Sequence, residues 1–225
     1  MKHYALIGKN LIHSWSADYF NRKFQQEGID AKYDLINICD STDLIHIPSV
    51  DGYNVTIPYK CAIIPLLQEL DPIASEIGAV NVVKDGKGYN TDYIGFTESI
   101  RPYIHQAHNA LIIGTGGAAR AVQYGLRTLK IASEMVSART KIDMDLKQYN
   151  IIVNATPLGQ FPNIDACPPI DYTMLDARHI LFDCIYNPEQ TLFLQKGKQQ
   201  GATTIGGKQM LEIQANESWK IWNTK

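Results

Sequence analysis

Short apolar, β-rich runs recur along the chain, and stretches with helical spacing separate them. Residues 4–7, 33–36, 52–55, 80–83, 111–113, 135–137, 151–154 and 181–183 read as strands. Residues 17–27, 118–129 and 192–200 read as helices, as does YIGFTESIRPYIHQ over 93–106. The last stretch, 207–222, repeats Met210, Leu211, Gln214 and Trp219 at helical intervals, without showing which half of the chain it packs on. Continuous apolar strands alternating with helices predict an α/β fold whose parallel sheets are covered on both faces. A seam is expected near 92–108, where one helix ends and a new strand, glycine loop and helix begin. No internal repeat or low-complexity segment interrupts the alternation.

That seam opens the most informative stretch. The strand at 111–113 runs into GTGGAARAVQYGL, in which Gly114, Gly116 and Ala119 have the G-x-G-x-x-A spacing of a dinucleotide loop. Gly114 permits a tight turn, Gly116 lets backbone N–H groups approach a pyrophosphate, and Ala119 lets the helix pack close to the strand. The free N–H groups and dipole of the helix N-terminus then favour phosphate. An NAD site calls for an acid about 20 residues on, at the end of the second strand. Here the sequence is MVSARTK, with Arg139 and Lys141 at that place. A guanidinium forks onto a phosphate, so NADP is the expected cofactor.

The first half carries polar clusters at predicted strand ends. His13-Ser14-Trp15-Ser16 follows the first strand, with Ser16 an expected helix N-cap and Ser14 unexplained by capping. In Asn54-Val55-Thr56-Ile57-Pro58-Tyr59-Lys60, Pro58 stands where a helix is expected to begin, which brings Thr56 and Lys60 to the ligand-facing edge. Gly78-Ala79-Val80-Asn81 leads, a short hairpin later, to Tyr89-Asn90-Thr91-Asp92.

Composition adds exclusions. The chain has 225 residues, 45% apolar and 20% charged, enough for a real core without metals or disulfides. A net charge of −2 with no basic run disfavours nucleic acid and anionic lipid as partners. Cys39, Cys61, Cys167 and Cys184 form no CxxC pair, and no cluster has metal-ligand spacing, so no metal is expected. No run approaches the roughly 20 apolar residues of a membrane span, and the N-terminus does not read as a signal peptide, so a cytoplasmic setting is expected.

Taken together, the stretches YALIGKNLIHSWS, GYNVTIPYK, IGAVNVV, YNTDYIGF, LIIGTGGAARA, ART, VNATPLG, FDCIYNPEQT and GGKQMLEIQA resemble the shikimate dehydrogenase family in order and over almost the whole chain. NVTIPYK followed by GAVN and NTD is the specific combination; the glycine loop alone is not. The resemblance implies NADPH-dependent reduction of 3-dehydroshikimate to shikimate in aromatic amino-acid biosynthesis. It also implies two α/β domains with a cleft between them: a substrate domain (1–94 plus 207–225) and a Rossmann-like NADP-binding domain (95–206). Carried over by motif, Ser14, Ser16, Thr56, Lys60, Asn81, Asp92 and Gln214 line the substrate site. Gly114, Thr115, Gly116, Gly117, Ala118 and Ala119, with Arg139 and Thr140, hold NADP. Asn154, Ala155, Thr156, Tyr186, Gly207 and Met210 lie near the cofactor.

Lys60 is the expected acid/base, with Asp92 orienting it and binding a substrate hydroxyl, while Ser14 and Ser16 cradle the carboxylate. The sequence departs from the family at Asn10 and Ala17, where prolines are usual, at Ala138 in place of an asparagine, and at Gln160 in place of a methionine. The stretch 140–150 is also short, so one crossover helix is expected to be truncated. Two rival readings are a quinate-type cyclitol dehydrogenase using NAD and a non-catalytic NADP-binding sensor. The oligomeric state stays open between monomer and homodimer.

Overall fold

The computed structural model describes residues 1–11, 14–105 and 107–224, so His13 of the serine cluster lies outside the described residues. The chain divides into two compact units, Met1–Thr91 with Ala215–Lys225, and Asp92–Gln214. The sequence-based boundaries, after residues 94 and 206, differ from these by three residues at the first and eight at the second.

In the first unit, β1 (Lys2–Gly8) is followed by α1 (Trp15–Glu27), β2 (Ala31–Asn37), β3 (Gly52–Val55), β4 (Glu69–Leu70), α2 (Pro72–Ile77), β5 (Val82–Lys84) and β6 (Lys87–Tyr89). The described strands form one sheet in the order β2-β1-β3-β5-β6-β4. The expectation of purely parallel sheets fails here, because β5 runs antiparallel to both β3 and β6. The cause is local. Asp85 and Gly86 take φ of 49° and 74°, the two-residue turn geometry that reverses a strand at once. Alternation along the strands then sorts the core. Tyr4 and Leu6 of β1 face α1 and the C-terminal tryptophans, while Ile7 joins Val55, Tyr59, Ile63 and Val80 on the other side.

Two helix predictions are corrected. No α-helix follows Pro58: residues 57–63 form successive turns, and a single 3₁₀ turn spans Ile64–Leu66. Pro65 has no N–H, and its ring clashes with the carbonyl four residues back, so a helix started at Pro58 has nowhere to go. The helix expected over 93–106 is α3 (Asp92–Ile100), with a 3₁₀ turn at Arg101–Tyr103. Pro102 imposes the stop in the same way.

The second unit continues with β7 (Asn109–Ile113), α4 (Gly117–Thr128), β8 (Ala132–Val136), β9 (Ile151–Asn154), β10 (Ile180–Asp183), α5 (Leu192–Gln199), β11 (Thr203–Ile205) and α6 (Lys208–Asn223). Its described sheet is parallel throughout, in the order β11-β10-β9-β7-β8. Ala110, Ile112, Ile151, Val153 and Phe182 face α3 and α4, while Leu111, Ile113, Ile152 and Leu181 face α5 and the connecting loops. Between β8 and β9 there is only a 3₁₀ turn at Leu146–Gln148, so the shortened crossover has no α-helix.

Helix α6 is divided between the units. Met210 packs in the core of the second. Trp222 stacks on Tyr4 of the first at 4.8 Å and donates from its indole to the Val83 carbonyl at 3.1 Å.

Candidate active site

Strand direction gathers the polar residues of the first unit. β1 and β3 are parallel with Ile7 opposite Val55, so the loop leading to Ser14 and the turn carrying Thr56 leave from the same edge of the sheet. The Thr56 N–H donates to the Ile7 carbonyl at 2.9 Å. Because β5 is antiparallel to β3, its beginning comes to that same edge, and the Val55 N–H donates to the Asn81 carbonyl at 2.9 Å. The Lys60 carbonyl accepts the Val80 N–H at 2.7 Å, which ties the lysine turn to the segment before β5. Thr56, Lys60 and Asn81 therefore share one edge, and the antiparallel hairpin that the parallel expectation left out is what brings Asn81 there.

Several roles are sharpened. Ser14, not Ser16, is the N-cap of α1: its backbone is extended, and its Oγ accepts the Ser16 N–H at 3.2 Å. The helix begins at Trp15, so Ser16 sits inside the first turn, where a cap cannot act. The Asn81 amide is held by Thr91, donating to its Oγ1 at 2.9 Å and accepting its N–H at 2.7 Å. Asn54, beneath it, accepts from the Tyr33 hydroxyl at 2.8 Å and donates to the Asn81 carbonyl and to Ser218 Oγ. Asn54, Thr91 and Ser218 thus form a buried support that the sequence reading did not assign. Asp92 is the first residue of α3 and is buried. Gln214 is buried on α6 and donates to the Leu211 carbonyl at 2.9 Å.

The second unit places its glycine turn where strand order reverses, between β7 and β9. Gly114 has φ +126°, and a Cβ there would lie 2.7 Å from the Ala155 carbonyl oxygen, so no other residue fits. Gly116 caps α4 without any side-chain hydrogen bond to the first turn, and a Cβ there would meet nothing within 4 Å. The turn thus leaves free N–H groups and open space at a helix N-terminus, which fits a pyrophosphate. Thr115 is exposed between the two glycines, while Ala119 is fully buried against the sheet. Arg139 and Thr140 are exposed just beyond β8, whose last residue, Val136, accepts the Gly114 N–H at 2.8 Å. A cation beside the glycine turn suits an additional phosphate.

The turn after β9 is organised by Asn154. Its Oδ1 accepts the Thr156 N–H at 3.1 Å and the Thr156 hydroxyl at 2.6 Å, and its Nδ2 donates to the Leu158 carbonyl and to Asp183, both at 3.1 Å. Asp183, at the end of β10, is wholly buried; burial lifts its carboxyl to about 6 against three neutral donors. The motif FDCIYNPEQT contains this acid, yet the sequence reading passed over it. Gly207 is pinned by close approach, since a Cβ there would lie 2.5 Å from the Cys184 carbonyl oxygen. Tyr186 and Gly207 line a depression of about 470 Å³ with Tyr103, Gln190 and Glu212. Among the described residues no group of His, Cys, Asp and Glu could hold a metal ion, and no helix is long and apolar enough to cross a membrane.

A parallel sheet with a glycine turn at its switch point and a cation beyond the second strand defines a dinucleotide-binding α/β protein of the NADP type. A family model for the shikimate dehydrogenase substrate binding domain matches residues 6–83. The shikimate dehydrogenase (NADP(+)) of Methanosphaera stadtmanae is 35% identical over 258 aligned positions, covering 98% of this chain and 91% of that one. A shikimate dehydrogenase crystallised with NADP+ superposes with a TM-score of 0.88 at 34% identity, covering 99% of this chain and 90% of the other. The Thermus thermophilus enzyme with NADP(H) and shikimate gives 0.86 at 26% identity, over 99% and 94%. This chain belongs to the shikimate dehydrogenase family.

Proposed function

We propose that this chain catalyses the reversible reduction of 3-dehydroshikimate to shikimate with NADPH, the first unit binding substrate and the second the cofactor. The observation that carries the reading is the convergence of Thr56, Lys60 and Asn81 on one sheet edge, in a chain that also has the uncapped glycine turn and Arg139. Similarity to proteins crystallised with NADP+, and with NADP(H) and shikimate, supports the same reaction.

Bound NADPH supplies the hydride. The backbone N–H groups of Thr115 to Ala118 would hold its pyrophosphate, with Gly114 shaping the turn and Ala119 packing the helix on the sheet, and Arg139 with Thr140 would receive the 2′-phosphate. Asn154, Ala155, Thr156, Tyr186, Gly207 and Met210 shape the rest of the cofactor surface. In the first unit, Lys60 hydrogen-bonds the ketone oxygen through its ammonium and delivers a proton there as negative charge develops. Thr56 and Asn81 fix the ring beside it, and the family pattern adds Asp92 and Gln214, the first and last residues of the second unit, as partners of the ring hydroxyls. Ser14 and Ser16 offer hydroxyl donors to the substrate carboxylate. The Ser14 hydroxyl can do this while capping, because its oxygen accepts the Ser16 N–H and its own proton stays available.

The test is loss of NADPH absorbance with 3-dehydroshikimate, run beside shikimate and quinate with NADP and NAD in reverse. Turnover confined to the shikimate–NADP pair is expected. Preference for quinate with NAD would replace this reading with that of a cyclitol dehydrogenase, and NADPH binding without any turnover with that of a sensor.

A further inference from the structure

The buried carboxylate of Asp183 lies under the turn assigned above to the cofactor, and its partners are all donors. Oδ1 accepts from Asn154 Nδ2 at 3.1 Å and from the Ile185 N–H at 3.0 Å, and Oδ2 accepts the Thr191 hydroxyl at 2.6 Å. An ionised carboxylate can only accept. It therefore dictates which end of the Asn154 amide faces it: the nitrogen turns toward Asp183, and the oxygen turns toward Thr156. That oxygen captures both the N–H and the hydroxyl of Thr156, and Thr156 Oγ1 in turn accepts the Leu158 N–H at 3.2 Å. The second Asn154 hydrogen closes the turn on the Leu158 carbonyl. The relay sets the path of residues 154–158, and with it the Ala155 carbonyl that abuts Gly114.

We propose that Asp183 is a positioning residue for the cofactor: acting through Asn154, it holds the 154–158 turn in the shape that receives NADP, without touching the cofactor itself. Keeping a carboxylate ionised where burial lifts it to about 6 disfavours the folded state at neutral pH. A neutral side chain would serve packing better, whereas orienting the Asn154 amide calls for an obligate acceptor. The proposal rests on the NADP reading above.

NADP+ is titrated calorimetrically into the wild-type chain, Asp183→Asn and Thr191→Val, and Michaelis constants for shikimate are measured alongside. Asn at 183 can present an NH₂ where only an acceptor fits. The expected result is an NADP+ dissociation constant raised at least tenfold in Asp183→Asn, with the shikimate Michaelis constant within twofold of wild type. Thr191→Val removes a donor on the far side of the carboxylate and is expected to melt lower while binding NADP+ within threefold. Thr156→Val, which leaves Asp183 intact and removes the hydroxyl at the other end of the relay, is expected to weaken NADP+ about tenfold, and it carries the test if Asp183→Asn does not fold. Unchanged NADP+ affinity in Asp183→Asn or Thr156→Val overturns the positioning role, as does equal weakening in Thr191→Val. A wild-type chain that does not bind NADP+ overturns the cofactor reading itself and this proposal with it.

Discussion

Lys60 is one of a few residues on which the proposed chemistry turns, and its replacement separates chemistry from binding. Lys60→Ala is expected to lower turnover about 10²- to 10⁴-fold, the usual contribution of a positioned proton donor. NADPH affinity should stay within twofold, as titration of cofactor fluorescence would report; near-normal turnover would sink the assignment. Asp183 makes a different prediction, on stability. Its carboxyl is raised from 3.8 to about 6, so within that range the folded state holds a proton that the unfolded chain has lost. Its contribution therefore becomes more favourable as pH falls from above 6 toward 4. Asp34, Asp40 and Asp171 are held below their usual range by hydrogen bonds and lose their contributions as pH falls through those lowered values. Urea unfolding of wild type and Asp183→Asn at pH 7.5 and 4.5 isolates the one group. The wild type should gain about 2 kcal/mol relative to the variant at the lower pH. No gain, or a loss, would mean that burial does not govern this acid.

At the scale of elements, most strands were visible as apolar runs, with ends misplaced by a few residues. Pairing direction was not visible. VVKDGKGY announces a hairpin, but that its first strand also runs antiparallel to β3 is a tertiary fact. α2 was missed although its punctuation is present: Asp71 caps the Ile73 N–H, Pro72 stands at the first turn, and Gly78 closes with φ 68°. It spans only six residues, too few to show a period. Asp183 was overlooked because it ends an apolar strand like any terminal polar residue, and its partners Asn154 and Thr191 stand 29 and 8 positions away. The glycine turn, Arg139 and the Thr56–Lys60 segment were legible because each is local. Of the α6 tryptophans, only Trp219 enters the helical spacing legible in the sequence. Trp222 is 3% exposed, stacks on Tyr4 and bonds Val83, so Trp222→Ala should destabilise the first unit by about 3–5 kcal/mol in chemical denaturation. A cost below 1 kcal/mol would show that the helix end is not part of that core.

For the whole molecule, the relevant fact is that the first unit is discontinuous in sequence and the second is not. Ending the chain at Gln214 removes Ser218, Trp219 and Trp222, and with them the partners of Asn54, Tyr4 and Val83. Such a truncation should abolish hydrogen-exchange protection in β1 while leaving it in β7 within tenfold. Equal protection in both strands would contradict this division of the core. The same discontinuity gives synthesis on the ribosome a direction. The first 91 residues emerge early, yet must wait for the final eleven before their apolar face is covered. The contiguous middle segment can complete its sheet while the tail is still being translated. The expected order of folding therefore runs from the inside of the sequence outward, with the first unit completed after the second.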